Sequence, residues 1–543
     1  TFPPAPLFPN FSIALHPPIA ARRKVIFLKM NKPLERPLAL IILDGWGSAD
    51  ASEANAIAAA HTPYYDEICR RYPETRLSAA GEAVGLAAGE PGNAELGHMN
   101  IGAGRVVRTP VSNIREAVRS GAYMDNEVLT KSFNDAKAAG KRVHLVGMIS
   151  QGDIHSSQEN LFAMIRMAKK FGLRDVFIHG ILDGRDEPPR TSDVIVEALE
   201  VKLADFGIGR IASLCGRFYG MDSGENWERT ARAFTMLVHA EGERASDPVM
   251  AVRSSFLRGI SDEFIAPIVF ESSPGVPVAT VQSGDLVIYF NHRADTIRQL
   301  VRALSVPDTG MISASSKPEV KSVCLAEYDP NFGLPVAFPS PVIGGVLGSV
   351  LAANHIANFR ISESDRFTHV SRFLDCGVGD AAEFEVGVEV PSLEGFDRAA
   401  EPELRSFKIT DRFIRAIKEE PGSMFVLNFP APGLLAETGS FERTVEAVQY
   451  VDTCLGGVIR HLRNAGGAAV ITSTHGNCEQ MTDESGEPDR NATRNPVPFH
   501  LVDDRAEGIS LRTDGTLADV APTLLAMAGL SSSPEMTGSD LRA

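Results

Sequence analysis

Glycines bracket small polar residues in the stretch Pro91-Gly-Asn-Ala-Glu-Leu-Gly-His-Met-Asn-Ile-Gly-Ala-Gly-Arg105, the pattern that presents one side chain at the entrance of a helix. Such a turn aims backbone N–H groups and the positive helix end at an anion, and phosphoryl chemistry there needs a hydroxyl or thiol to attack with. The residue in that place is Ala94, which has neither. Two further stretches, Leu43-Asp-Gly-Trp-Gly47 and Ser473-Thr-His-Gly-Asn-Cys-Glu479, each follow an apolar run of strand length. Their polar residues are therefore expected at the carboxyl ends of strands.

These residues need a sheet to hold them. Leu38-Ala-Leu-Ile-Ile-Leu43 is apolar throughout, as expected of a parallel strand buried on both faces and ending in Asp44. A helix is expected around Pro63 to Arg71. From about Thr109 strand and helix alternate: strands at 142–148, 175–178, 211–215 and 286–290, helices at 157–171, 192–206, 227–237 and 296–304. That order predicts a parallel sheet of its own. The Pro- and Gly-rich link 329–341 marks a boundary. Beyond it the alternation resumes, with strands at 357–361, 424–429 and 468–472, helices at 346–354, 401–418 and 441–463, and a closing amphipathic helix at 517–527.

A chain of 543 residues exceeds one ordinary core, so two or more domains are expected at ~100–200 residues each. No run reaches the ~20 apolar residues that span a bilayer, which argues against a membrane role. The formal charge of -16 argues against a nucleic-acid surface, which needs clustered Lys and Arg. The six cysteines lie far apart without a CxxC pair, as expected of reduced thiols in a cytosol-like compartment. Residues 1–35 carry no acidic residue before Glu35 and include Arg22-Arg23-Lys24. They read as an N-terminal extension, disordered or a leader, the leader being an organellar transit peptide or residues upstream of an initiator at Met30.

Taken together, the three motif stretches resemble cofactor-independent phosphoglycerate mutases of the alkaline phosphatase superfamily, over about Pro37 to Leu541. The resemblance implies an α/β protein in which an alkaline-phosphatase-like parallel-sheet domain, residues 36–109 with 339–543, is interrupted by a second α/β domain at 110–338 that binds phosphoglycerate. Family enzymes interconvert 3-phosphoglycerate and 2-phosphoglycerate by parking the phosphoryl group on a serine, here the position of Ala94. Two Mn2+ or Mg2+ ions assist. Asp44 and His475 match family metal ligands, and Glu437 stands where the family has a histidine but can still bind a hard ion. Thr474, Gly433 and Ala492 replace further ligands, and Arg494 adds a positive charge nearby. An incomplete set of this kind is expected to leave the ions absent or only partly occupied.

The substrate half of the resemblance is better kept. His155, Arg185, Asp186, Arg217 and Arg293 match family phosphoglycerate contacts, and Arg366 takes the place of a phosphate-binding lysine. Arg185 is a planar cation suited to a phosphate or carboxylate, and Asp186 an acceptor for a sugar-acid hydroxyl. Ser223 and Thr296 stand where arginines are expected, with Arg298 close by as a partial replacement. The expectation is a cytoplasmic, catalytically silent relative that keeps partial phosphoglycerate binding. Two alternatives stand beside it: a working mutase or metal-dependent phosphohydrolase with rebuilt ligands, and a structural or interaction scaffold. No protein partner is identified by the sequence.

Overall fold

Every residue of the strand Leu38–Leu43 is buried. Ala39, Ile41 and Leu43 enter one apolar core and Leu38, Leu40 and Ile42 another, which is why the run is continuous and not alternating. The computed structural model describes residues 33–152, 154–307, 317–339, 343–377, 384–393, 401–483, 485–506 and 508–542. The leader expected at 1–35 therefore lies outside the described residues except for Pro33 to Glu35. The chain divides into two units, residues 1–107 with 342–543 and residues 108–341.

The first unit holds a seven-stranded sheet in the order Glu385–Val390, Asn358–Glu363, Met424–Phe429, Leu38–Leu43, Ala468–Thr472, Val497–Val502, Glu74–Leu77. The first five run parallel, and Val497–Val502 is antiparallel to both of its neighbours. The second unit has the order Val336–Phe338, Lys321–Ala326, Leu286–Tyr289, Val143–Ile149, Val176–Leu182, Arg210–Gly216, Ile268–Ser273, Glu243–Ala245. Here six parallel strands end on an antiparallel partner, Ile268–Ser273. Both sheets are thus parallel-rich, as the alternation of strands and helices predicts, with antiparallel strands added. Of the unanticipated strands, those at edges are short and half-exposed, as in Glu74–Leu77 with its exposed-buried alternation, so they lack the apolar run that marks a buried strand, whereas Val497–Val502 is wholly buried but broken by Pro498 and His500. The Pro-rich link differs too: Val336–Phe338, inside it, adds an edge strand to the second sheet, a position where neighbouring prolines are tolerated. No helix among the described residues is long and apolar enough to cross a membrane.

Buried polar side chains stitch the second sheet together. Asp285 meets His144 Nε2 at 3.2 Å, His144 Nδ1 lies 2.9 Å from His179 Nε2, and His179 Nδ1 lies 2.7 Å from the Ser213 hydroxyl. Burial holds His179 well below the ordinary imidazole range and lowers His144 as well, the latter despite the Asp285 carboxylate. Burial works against ionisation of Asp285, but His144 and Arg142 overcome it and bring its pKa to about 2. Between about pH 6.5 and the depressed folded values the unfolded chain binds more protons at these histidines, so stability is full above that window and falls as pH drops through it. The expected slope is up to about 1.4 kcal/mol per pH unit for each histidine. Urea midpoints taken from pH 7 to 5 check this, and a His179→Gln variant with an unchanged slope would count against it.

Candidate functional site

In the first unit, the carboxyl ends of four adjacent parallel strands converge, the place where open α/β sheets bind ligands. Leu38–Leu43 delivers Asp44, Ala468–Thr472 delivers Thr474 and His475, Asn358–Glu363 leads to Arg366, and Met424–Phe429 leads through the helix Ala431–Ala436 to Glu437. Ala94 is the first residue of the helix Ala94–Ala103, capped by the Asn93 side chain, which accepts from Leu96 N–H at 2.8 Å. Gly97 lets this helix approach the Thr474 loop, since an added Cβ would lie 2.5 Å from Thr474 Cβ.

Asp44 is fully buried. Arg366 Nε donates to its Oδ2 at 3.1 Å, while the other arm of the same guanidinium donates to Glu437. Burial opposes the charge on Asp44, but Arg366 first, then His475, His98 and His369, hold its pKa below the usual carboxylate value. His475 Nδ1 is 3.0 Å from the Thr474 hydroxyl and 3.7 Å from Asp44 Oδ1. His98 and His369 face one another edge-on with ring centroids 5.3 Å apart, and burial lowers their pKa values to about 3 and about 4, so both are neutral. Neither histidine was singled out from the sequence, although His98 stands four residues after Ala94 and so shares its helix face, with Nδ1 2.7 Å from the Ala94 carbonyl oxygen.

The second unit repeats the arrangement at the ends of its own parallel strands. Ser150 to His155 follow Val143–Ile149, Asp183 to Asp186 follow Val176–Leu182, and Arg217 follows Arg210–Gly216. Arg217 pairs with Asp183 at 2.7 Å and Asp186 at 3.0 Å. His155 lies 3.7 Å from Asp186 by Nε2, and its Nδ1 meets the Thr296 hydroxyl at 3.2 Å. Thr296, which stands for an expected arginine, thus orients a neighbouring site residue instead. Ser223 and Arg298 line one 470 Å³ cavity, together with Asp295. Arg185 and Arg293 lie apart from the buried group, with side chains 68% and 52% exposed. Asp183, unremarked in the sequence, organises the loop: it is fully buried and accepts from Ser150, Arg217 and the backbone N–H groups of Arg185 and Asp186. Its signal was its place directly after a wholly buried strand, Val176–Leu182.

Known proteins extend this geometry. A family model described as BPG-independent PGAM N-terminus (iPGM_N) matches residues 114–330. The solved Leishmania mexicana phosphoglycerate mutase, crystallised at low cobalt concentration, superposes with a TM-score of 0.71 at 26% identity, covering 94% of this chain and 99% of that one. The 2,3-bisphosphoglycerate-independent phosphoglycerate mutase of Moorella thermoacetica is 41% identical over 94% of this chain and 98% of its own length. This chain belongs to the 2,3-bisphosphoglycerate-independent phosphoglycerate mutase family. The enzyme of that name from Pseudomonas putida is 38% identical over 93% of this chain and 98% of its own.

For a mutase-family chain the residues at the first site do not fit two divalent ions. Ala94, Gly433 and Ala492 bring no donor, and Thr474 offers only a hydroxyl already paired with His475. Gly433 has no room to spare: a Cβ there would come within 3.1–3.2 Å of Asp44. Arg366, expected as a phosphate contact, spends its guanidinium on the two carboxylates that resembled metal ligands. The positive charge set against Asp44 is this one, while Arg494 is exposed.

Proposed function

We propose that this member of the mutase family binds phosphoglycerate and does not turn it over. One observation carries the reading: a single internal cation, Arg366, bridges Asp44 and Glu437, the carboxylates that the resemblance assigns to two different ions. Phosphoryl transfer through the enzyme requires a new P–O bond to a protein oxygen, and the methyl group of Ala94 cannot form one. The donors left at the strand ends, with Asp44 and Glu437 both taken by Arg366, do not suit a pair of manganese or magnesium ions.

Ligand binding belongs to the second unit. Asp183 and Asp186 hold Arg217 in place, and the exposed guanidinium groups of Arg185 and Arg293, each beside an acidic neighbour, Glu263 at 3.9 Å and Asp295 at 3.1 Å, can turn to meet phosphate or carboxylate oxygens. His155, kept neutral mainly by burial and by Arg217, is suited to hydrogen-bond a ligand without adding charge. Free cysteines throughout support a reducing, cytoplasmic setting.

Calorimetry of the full chain with 3-phosphoglycerate and 2-phosphoglycerate tests this. Binding is expected, weakened roughly 10–100-fold by Arg293→Ala, the loss of a charged hydrogen bond worth about 1.5–3 kcal/mol. No heat at millimolar ligand removes the proposal.

A second reading, a phosphohydrolase with a rebuilt metal site, is favoured by one feature: Asp44 Oδ1, His98 Nε2 and His369 Nδ1 are buried without hydrogen-bond partners. These atoms do not meet the spacing of a ready cation site, which among the described residues occurs elsewhere. An enolase-coupled assay for mutase turnover and a phosphate-release assay for hydrolysis, each with manganese, cobalt or magnesium, separate the two readings, and metal-dependent turnover in either would favour a rebuilt site.

A further inference from the structure

We infer that Cys69, Glu74 and His500 form a binding site for a soft divalent cation of the zinc type, separate from the strand-end site around Asp44. One ligand atom from each residue lies within 4.8 Å of the others. The fold brings them together from three elements. Cys69 is in the helix Pro63–Arg71, Glu74 opens the edge strand Glu74–Leu77, and His500 is its register partner on Val497–Val502.

Two independent features point to a ligand. His500 is 1% exposed, yet its Nδ1 has no hydrogen-bond partner, the nearest carboxylate oxygen being Glu74 Oε2 at 3.6 Å. Its other nitrogen, Nε2, is engaged by the Tyr65 hydroxyl at 3.0 Å, the outer contact that orients a ligating imidazole and, with Nε2–H donating, leaves the Nδ1 lone pair facing the cluster. Burial lowers the His500 pKa to about 4, so the ring is neutral and able to coordinate at pH 7.

Thiolate, imidazole and carboxylate together suit zinc and exclude magnesium-like ions, whose sites are built from oxygen. Zinc bonds of about 2.0–2.3 Å require donors roughly 3.3–3.8 Å apart, so the cluster must tighten by about 1 Å. Glu74, with its side chain 59% exposed, is free to make that movement, and the same exposure opens a path for the ion. Burial and then Glu74 push the Cys69 thiol to about 11 without metal, so loading the site releases its proton to solvent as the S–metal bond forms. A bound ion would tie the helix to the edge strands of the sheet.

The test uses the full chain, stripped with chelator and titrated with Co2+ and then Zn2+. One Co2+ per chain is expected, with a thiolate-to-cobalt charge-transfer band that Zn2+ abolishes and that Cys69→Ala lacks. Glu74→Gln, at an exposed position that leaves the fold alone, should weaken binding by at least about 10-fold, and Zn2+ should raise the melting temperature of the parent but not of Cys69→Ala. A band absent from the parent, or one that survives Cys69→Ala or is unmoved in strength by Glu74→Gln, overturns the site. A band lost on Asp44→Asn with Cys69 intact does the same.

Discussion

Ala94→Ser restores a hydroxyl at the helix entrance and leaves mutase turnover below detection. Loss of a nucleophile alone costs on the order of 10⁶ in turnover, so if the serine were the missing part its return would raise the rate by a factor of that size. The expected gain is under about 10-fold, because the hydroxyl would find no ion to lower its pKa. The neighbouring donors remain wrong: Thr474 is paired with His475, Gly433 and Ala492 carry no ligand, and Arg366 holds Asp44. Adding Gly433→Asp does not simply complete the set, since its Cβ must push Asp44 aside from 3.1 Å. The check is an enolase-coupled assay of Ala94→Ser in manganese, cobalt and magnesium. Recovery to within about 100-fold of an active relative would sink the structural account of this site.

Arg366→Met should destabilise the first unit by about 3–5 kcal/mol, the usual consequence of removing one partner from a buried ion pair. Asp44 is fully buried and its Oδ1 already lacks a hydrogen-bond partner, so without Arg366 burial would oppose its charge with the chief compensating cation gone. The paired change Asp44→Asn with Arg366→Met removes the stranded charge and is expected to recover at least half of the loss. The coupling between the two residues is then read from the double-mutant cycle. Urea midpoints of the parent, the two single variants and the double variant measure it. A loss under about 0.5 kcal/mol for Arg366→Met would mean that the guanidinium is not what holds Asp44 ionised.

Much of the architecture was readable because buried parallel strands announce themselves. Leu38–Leu43, Met424–Phe429 and Ala468–Thr472 fall at the expected positions, as does the helix Ser192–Phe206. In each strand a run of at least four apolar residues has one physical cause, a sheet covered on both faces. Edge strands carry no such mark: Glu385–Val390 is fully buried only at Val390 and Glu243–Ala245 at no position, and their pairing depends on neighbours distant in sequence. The closing helix shows the same dependence on context, since Leu517–Asp519 forms a tight 3₁₀ turn before the α-helix Val520–Met527 begins.

Residue types alone determined what is missing from the strand-end site. An absent hydroxyl at Ala94 and absent ligands at Gly433 and Ala492 are facts of composition, and no arrangement of the backbone supplies those atoms. Only the tertiary structure decided what the remaining groups do. An arginine side chain reaches several ångströms in many directions, and it is the converging strand ends that aim Arg366 at Asp44 and Glu437 and not at a ligand. The same holds for His98 with His369, and for Cys69, Glu74 and His500, whose donor atoms become neighbours only when a helix and two antiparallel strands pack side by side.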